Sequence, residues 1–130
     1  MNCKQILIIA LGTNINQKSN MHHAMKLLHS IWHDMQFTRI VWTHPIGMAT
    51  EQFYNCIAYT WANNNIDTII QTLKNIETKC GNTLQERALQ RIQMDIDVLQ
   101  YGNKKMHECD WKRDYIQQLL QDVNIKIEQI

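Results

Sequence analysis

The stretch Gln93-Met94-Asp95-Ile96-Asp97-Val98-Leu99-Gln100-Tyr101, closed by Gly102-Asn103, alternates as a strand does. Successive strand side chains point to opposite faces. Met94, Ile96 and Val98 therefore share one face, and Asp95, Asp97, Leu99 and Tyr101 share the other. Gly102-Asn103 is a tight-turn signal. Upstream, Ile66, Ile69, Ile70, Leu73, Ile76 and Cys80 recur on one face with helical period, Asp67 lies near the start, and Gly81 occupies a left-handed C-cap position. Asn63-Asn64-Asn65 turns the chain into that helix. Before it, residues 53–61 form a strand with Ile57, Tyr59 and Trp61 on one face.

Residues 36–43 alternate Phe37, Arg39 and Val41 against Thr38, Ile40 and Trp42, which predicts another strand. The loop 44–52 between these strands holds the single proline, Pro45, and Gly47. At the N-terminus, residues 5–11 are apolar and rich in β-branched side chains, as a buried strand is, and Gly12 ends the run. Ser19 or Asn20 then caps a helix whose stripe is Met21, Ala24, Met25, Leu28, Ile31, Trp32 and Met35. A last helix from about Asp110 carries Trp111, Tyr115, Leu119, Leu120 and Val123. The order is βαββαβ followed by α. Two β-α-β halves with short strands predict an α+β fold, a ferredoxin-like βαββαβ sandwich with an additional C-terminal helix.

No linker or repeat divides the chain, so residues 1–130 read as a single domain. Thirteen Lys and Arg against twelve Asp and Glu leave a net charge of +1, which gives no electrostatic footprint for nucleic acid or an anionic membrane. No apolar run approaches membrane-spanning length and no cleavable leader is expected. Cys3, Cys56, Cys80 and Cys109 include no C-x-x-C pair, which argues against a zinc ribbon and a thioredoxin-type site. A chain of this size buries roughly two-thirds of its unfolded surface and needs no disulfides. A reduced, cytoplasmic protein is expected.

Asp95-Ile96-Asp97 is the sharpest local feature. Side chains at i and i+2 of a strand share a face, and two carboxylates so placed can converge on one hard cation or bracket two. Such a pair can also be the polar face of an ordinary strand, although Leu99 and Tyr101 on that face suit plain exposure poorly. Asn55 offers an amide donor and acceptor side by side, which suits the edge of a heterocyclic base, and Phe53 can stack on a flat ring. Both residues also suit an ordinary strand. His29 and His33 stand at i and i+4 but opposite the apolar stripe, with His22 and Lys26, so a solvated face accounts for them. Met21, Met25 and Met35 fill the core.

Several segments, in order over about the first 103 residues, resemble the hydroxymethyl-dihydropterin pyrophosphokinase family of folate biosynthesis. Ala10-Leu11-Gly12-Thr13-Asn14 is similar to the family's A-L-G-S-N. Thr43-His44-Pro45-Ile46-Gly47 is similar to its T-x-P-x-G loop, and Gln52-Phe53-Tyr54-Asn55 to its Q…[FY]-x-N. Ile76-Glu77 before Gly81 resembles its I-E…G-R helix end. Met94-Asp95-Ile96-Asp97-Val98-Leu99 with Tyr101-Gly102 resembles L-D-L-D-I-L…[YF]-G. The resemblance implies transfer of pyrophosphate from ATP to a pterin alcohol with two magnesium ions. Asp95 and Asp97 would hold the metal, Asn55 and Phe53 the pterin, and Thr43, Pro45, Ile46 and Gly47 would complete the pterin pocket. Glu77 would lie on the nucleotide side, and Arg87 and Arg91 would serve the ATP phosphates. The implied partners are ATP and a pterin, with no nucleic acid and no membrane; the oligomeric state is left open.

The sequence departs from the family where R-W-G-P-R is replaced by Arg87-Ala88-Leu89-Gln90-Arg91, and where Asn82 follows the helix glycine in place of arginine. No proline follows Pro45, and the Pro-His-Pro segment with its second pterin-stacking aromatic has no evident counterpart. These departures leave a second reading open, in which the fold and pterin pocket serve a binding or regulatory module with weakened or lost catalysis. The final helix has to bury its stripe against something. In a sandwich with two helices on one sheet face, the open places are the sheet edge and the opposite face. The helix is expected to pack near the pocket and to replace part of the missing wall, with a partner subunit as the competing destination.

Overall fold

The computed structural model describes residues 3–44 and 52–123. Pro45, Ile46 and Gly47 lie outside the described residues. The elements run β1 (Gln5–Thr13), α1 (Gln17–Ile31), β2 (Gln36–Phe37), β3 (Val41–Thr43), β4 (Phe53–Ala62), α2 (Ile66–Lys79), α3 (Leu84–Ala88), β5 (Asp95–Tyr101), β6 (Lys104–Lys105), α4 (Glu108–Trp111) and α5 (Asp114–Leu120). Among the described residues this is an α+β fold with an antiparallel sheet of six strands, ordered β2-β4-β1-β5-β6, with β3 also on β4.

The alternation of β1 divides the core in two. Leu7, Ile9 and Leu11 face α1 and α2, where Met21, Ala24 and Leu28 meet Ile69, Leu73 and Ile76. Ile6 and Ile8 face the other way, and with Ile57, Tyr59 and Leu99 they pack under Ile116 and Leu119 of α5. Each such side chain contributes roughly 1.5–3 kcal/mol when fully buried, so α5 supplies the cover that keeps the second face dry. It lands on the sheet face opposite α1 and α2, one of the two places open to it.

Several expectations are corrected. The predicted strand over 36–43 is broken in two. Thr38 puts its hydroxyl where a ladder carbonyl belongs: Oγ1 accepts from the Ile57 amide at 3.0 Å, while the Thr38 amide donates to the Ile57 carbonyl at 2.8 Å. Between the pairs Phe37↔Ala58 and Val41↔Asn55, one strand advances a residue more than the other. Helix α1 starts earlier than Ser19, with left-handed Asn16 as its cap, and Ile31 is exposed rather than part of the buried stripe. The last helix is split into α4 and α5 at Lys112-Arg113. The irregular stretch after Gly81 contains α3, whose Thr83 side chain accepts from the Glu86 amide at 3.0 Å. Thr83-x-x-Glu86 is a capping-box pattern that marked this helix in the sequence.

Tyr101 does not share the face of the two aspartates. The β1–β5 register passes from Ile8↔Gln100 to Ile9↔Val98, so Leu99 is an extra residue and Tyr101 pairs with Leu7 on the α1–α2 side. One inserted residue flips every side chain beyond it. The hydroxyl of Tyr101 then donates to the Asn64 carbonyl at 2.5 Å. Gly102-Asn103 forms the expected two-residue turn, with Gly102 at φ 62° and Lys104 and Lys105 closing a hairpin on Tyr101 and Gln100.

Candidate active site

The register that builds the sheet also assembles the site. Gly12 pairs with Asn55 on one side and Asp95 on the other, and Ala10 pairs with Ile57 and Asp97. Asn55, Gly12, Asp95 and Asp97 thus lie in neighbouring rows on one sheet face. Gly12 is required there for space: a Cβ at this position would stand 2.7 Å from Asn55 Oδ1. Asn55 is buried, and its amide donates to Thr43 Oγ1 at 2.7 Å, which fixes the side chain with its oxygen over Gly12. Thr43 therefore positions Asn55 through a direct hydrogen bond.

Two cavities meet at the aspartates. The first, about 230 Å³, lies over the sheet face and is lined by Gly12, Phe53, Asn55, Asp95, Asp97, Asp110, Arg113, Tyr115 and Ile116. The second, about 240 Å³, follows the outer edge of β5 against α2, between Ile70, Leu73, Lys74, Glu77, Arg87, Met106 and His107, and shares Asp95 and Asp97. Among the described residues that edge is open, because β6 pairs only with the far end of β5. The Ile96 amide, turned outward, donates instead to the Glu77 carboxylate at 2.7 Å.

The charges are dense and incompletely relieved. Burial and then the neighbouring Asp95 push the Asp97 carboxyl above the usual carboxylate range; Asp110 adds to this, while His107 and Arg87 oppose it. Glu77 is raised by burial, with the Ile96 amide pulling the other way. Arg87 Nη2 meets Asp95 Oδ1 at 2.6 Å, which holds the guanidinium still more firmly protonated. Burial likewise raises the Tyr115 phenol, against the effect of Arg113, which lies 4.7 Å from its ring.

Of the residues singled out in the sequence, Asp95, Asp97, Phe53 and Asn55 line the sheet-face cavity, and Glu77 and Arg87 join the aspartates along the edge. Arg91 is not brought to either cavity; it pairs with Glu86 at 3.7 Å and is half exposed. Asn82 ties the helix end to β5, donating to the Met94 carbonyl and accepting from its amide. Asn14 clasps Gln90 and Ile92 in the same two-handed way, at 2.9 and 2.7 Å. His29 is no chelator: its Nε2 lies 2.7 Å from the Met35 carbonyl, and the ring meets Phe37 edge-on.

Lys74, His107, Asp110, Arg113 and Tyr115 line the cavities without having been marked as site residues. The helical stripe in the sequence puts Tyr115 with the core residues, and nothing in the spacing singles out Arg113. The break between α4 and α5 re-aims both. The anchor for that turn is Trp111, whose indole N–H donates to the carbonyls of Leu99 and Met106, each at 3.0 Å.

The paired carboxylates suit a hard cation. Among the described residues no group of three or more His, Cys, Asp and Glu forms a closed cage. An open pair of oxygen donors is what magnesium uses when water and phosphate complete its shell. No helix among the described residues is long and apolar enough to cross a membrane. No curated protein matches the chain. A family model for 7,8-dihydro-6-hydroxymethylpterin-pyrophosphokinase matches residues 8–125. The match runs well past Gly102 and takes in α4 and α5, so the resemblance is not confined to the first 103 residues and the C-terminal segment does have a family counterpart. With most of its length matched, the chain belongs to the 7,8-dihydro-6-hydroxymethylpterin-pyrophosphokinase family.

Proposed function

We propose that the protein transfers the pyrophosphoryl group of ATP to the hydroxymethyl group of a dihydropterin, with two magnesium ions, in the reduced cytoplasm. The observation that carries this reading is the sharing of Asp95 and Asp97 by two cavities of unlike chemistry. A transfer between two substrates needs both to reach one point. The sheet-face cavity suits the pterin: Asn55 presents an oriented amide to a heterocycle edge, and Phe53 with Tyr115 supplies flat apolar walls. The edge cavity suits the nucleotide, with Ile70 and Met106 for an apolar ring and Lys74, Arg87 and His107 for anionic groups. The strand order, with two helices on one face, supports a ferredoxin-like arrangement, and four free cysteines fit a reduced setting.

Magnesium, when bound, offsets the phosphate charge and aligns donor and acceptor. Asp95 and Asp97 would hold it through their carboxylate oxygens. Catalysis by the chain is then positioning and charge neutralisation, with no covalent intermediate. Glu77 fixes the outer edge of β5 through Ile96, so the strand that carries both aspartates stays in place. Purified protein given ATP, magnesium and 6-hydroxymethyl-dihydropterin is expected to release AMP, and Asp97→Ala is expected not to. Absence of AMP from the wild type overturns the activity.

A second reading, a pterin-binding module with weakened catalysis, is favoured by the placement of Arg91 away from both cavities. Calorimetry separates the two. Pterin binding without magnesium-dependent ATP binding supports the module, and tight magnesium–ATP binding removes it.

A further inference from the structure

We propose that Arg87 is the resident counter-cation of Asp95 and has to leave that carboxylate before a metal ion can take it. The free protein then resists divalent cations until a nucleotide draws the arginine away. The proposal rests on the reading of Asp95 and Asp97 as the metal-holding pair.

The contact is short and charge-assisted, 2.6 Å from Nη2 to Oδ1, and both side chains are about two-fifths exposed. The pair is therefore open to an arriving ion. Helix α3, which carries Arg87, has no buried residue, and Leu84 and Leu89 at its two ends are exposed. Its other side-chain ties are polar: the Thr83 cap, and Glu86 with Gln93 at 2.7 Å and with Arg91 at 3.7 Å. The helix that carries the guanidinium therefore anchors no buried apolar side chain of its own. Arg87 also lines the β5-edge cavity beside Lys74 and His107, where an anionic phosphate would meet it. The guanidinium fork matches phosphate as well as carboxylate. A nucleotide can thus exchange one partner of Arg87 for another while the released Asp95 oxygen becomes available to the cation. Metal and nucleotide binding are then positively coupled, and by linkage equally so in both directions.

Manganese(II) is the probe, followed by the electron-spin signal of the free ion with the intact protein. Without nucleotide, Arg87→Met is expected to bind Mn²⁺ up to about fivefold more tightly than wild type, the span of a partly exposed ion pair. Arg87→Lys, which keeps the charge, is expected to stay near wild type. With a non-hydrolysable ATP analogue the order reverses, Arg87→Met holding the analogue less tightly. Mn²⁺ binding by Arg87→Met at or below the wild-type affinity, in the absence of nucleotide, overturns the proposal. The double variant Asp95→Asn, Asp97→Asn distinguishes the two failures. If it binds Mn²⁺ as well as wild type, the metal-holding reading fails and this proposal falls with it. If it loses Mn²⁺ while Arg87→Met behaves as wild type, the arginine proposal alone is wrong.

Discussion

Replacing Gly12 by alanine tests the geometry of the sheet-face cavity, the proposed pterin side, in a single step. The added Cβ would lie 2.7 Å from Asn55 Oδ1 and 3.6 Å from Phe53 Cδ1. The second distance is ordinary contact; the first is not, so Asn55 or β1 has to move. Asn55 is buried and short, and its amide is bonded to Thr43 Oγ1 at 2.7 Å. If Asn55 stays, the overpacked strand pair costs about 1–3 kcal/mol. If Asn55 swings away, it gives up a buried hydrogen bond worth about as much. Either route lowers the melting temperature by about 4–12 °C, at about 4 °C per kcal/mol for a chain of this length. The routes differ in binding: the second also loses the oriented amide, and pterin affinity falls by about tenfold per lost hydrogen bond. Thermal unfolding and pterin calorimetry on the same sample read both quantities. A Gly12→Ala protein with wild-type melting temperature and wild-type pterin affinity would refute the claim that this glycine makes room for Asn55.

Asp97→Asn should abolish AMP release yet stabilise the metal-free protein. The folded carboxyl has a raised pKa, so the folded state binds a proton that the unfolded state releases, and wild-type stability falls as pH climbs through that window. The variant is expected to melt above wild type at pH 8 in chelator, with the gap closing toward pH 3.8, and a lower melting point at pH 8 contradicts this. Ile116 is fully buried between the sheet and the first cavity; Ile116→Ala should cost about 2–5 kcal/mol in denaturant unfolding and weaken pterin binding as well, and an unchanged midpoint refutes the role of α5. Thiol titration of the native protein should find Cys3 and Cys109, both exposed, reacting fast. Cys56, its thiol pushed up to about 12 by burial, and buried Cys80 should wait for unfolding, so four fast thiols would contradict the packing.

What was legible in the sequence was periodic. The continuous apolar run of β1, which is buried on both faces, the period-two alternation of β5 and the apolar stripe of α2 are patterns that survive in a bare string. The Leu99 bulge was not legible, because an inserted residue shows itself only in which amide meets which carbonyl. Its consequence, Tyr101 on the wrong face for the site, was equally hidden. Strand-borne site residues were found because their spacing fixes their direction: Asn55, Asp95 and Asp97 could point only one way once β4 and β5 were placed. Arg113 and Tyr115 depend on where α5 lands and where it breaks from α4, which is tertiary information. Arg91 was displaced by a local event, the left-handed turn at Gln90 (φ 60°), held by the Asn14 clasp.

The hairpin that follows the bulge contributes to the site. The Leu99 carbonyl accepts from the Met106 amide at 2.8 Å, which carries the β5–β6 register one pair beyond Gln100↔Lys105, and also from the Trp111 indole at 3.0 Å. Those two bonds bring the chain back beside the strand it has just left, so His107 borders the edge cavity while Asp110 and Arg113 reach the sheet face. Upstream, among the described residues, no strand pairs with the outer edge of β5, and Glu77 takes the Ile96 amide between the two aspartates. A regular, fully paired strand at this position would have closed the edge cavity and left the acids facing one side only. The irregular end and the open edge together let a single Asp-x-Asp border two compartments, which is the geometry that transfer between two bound molecules requires.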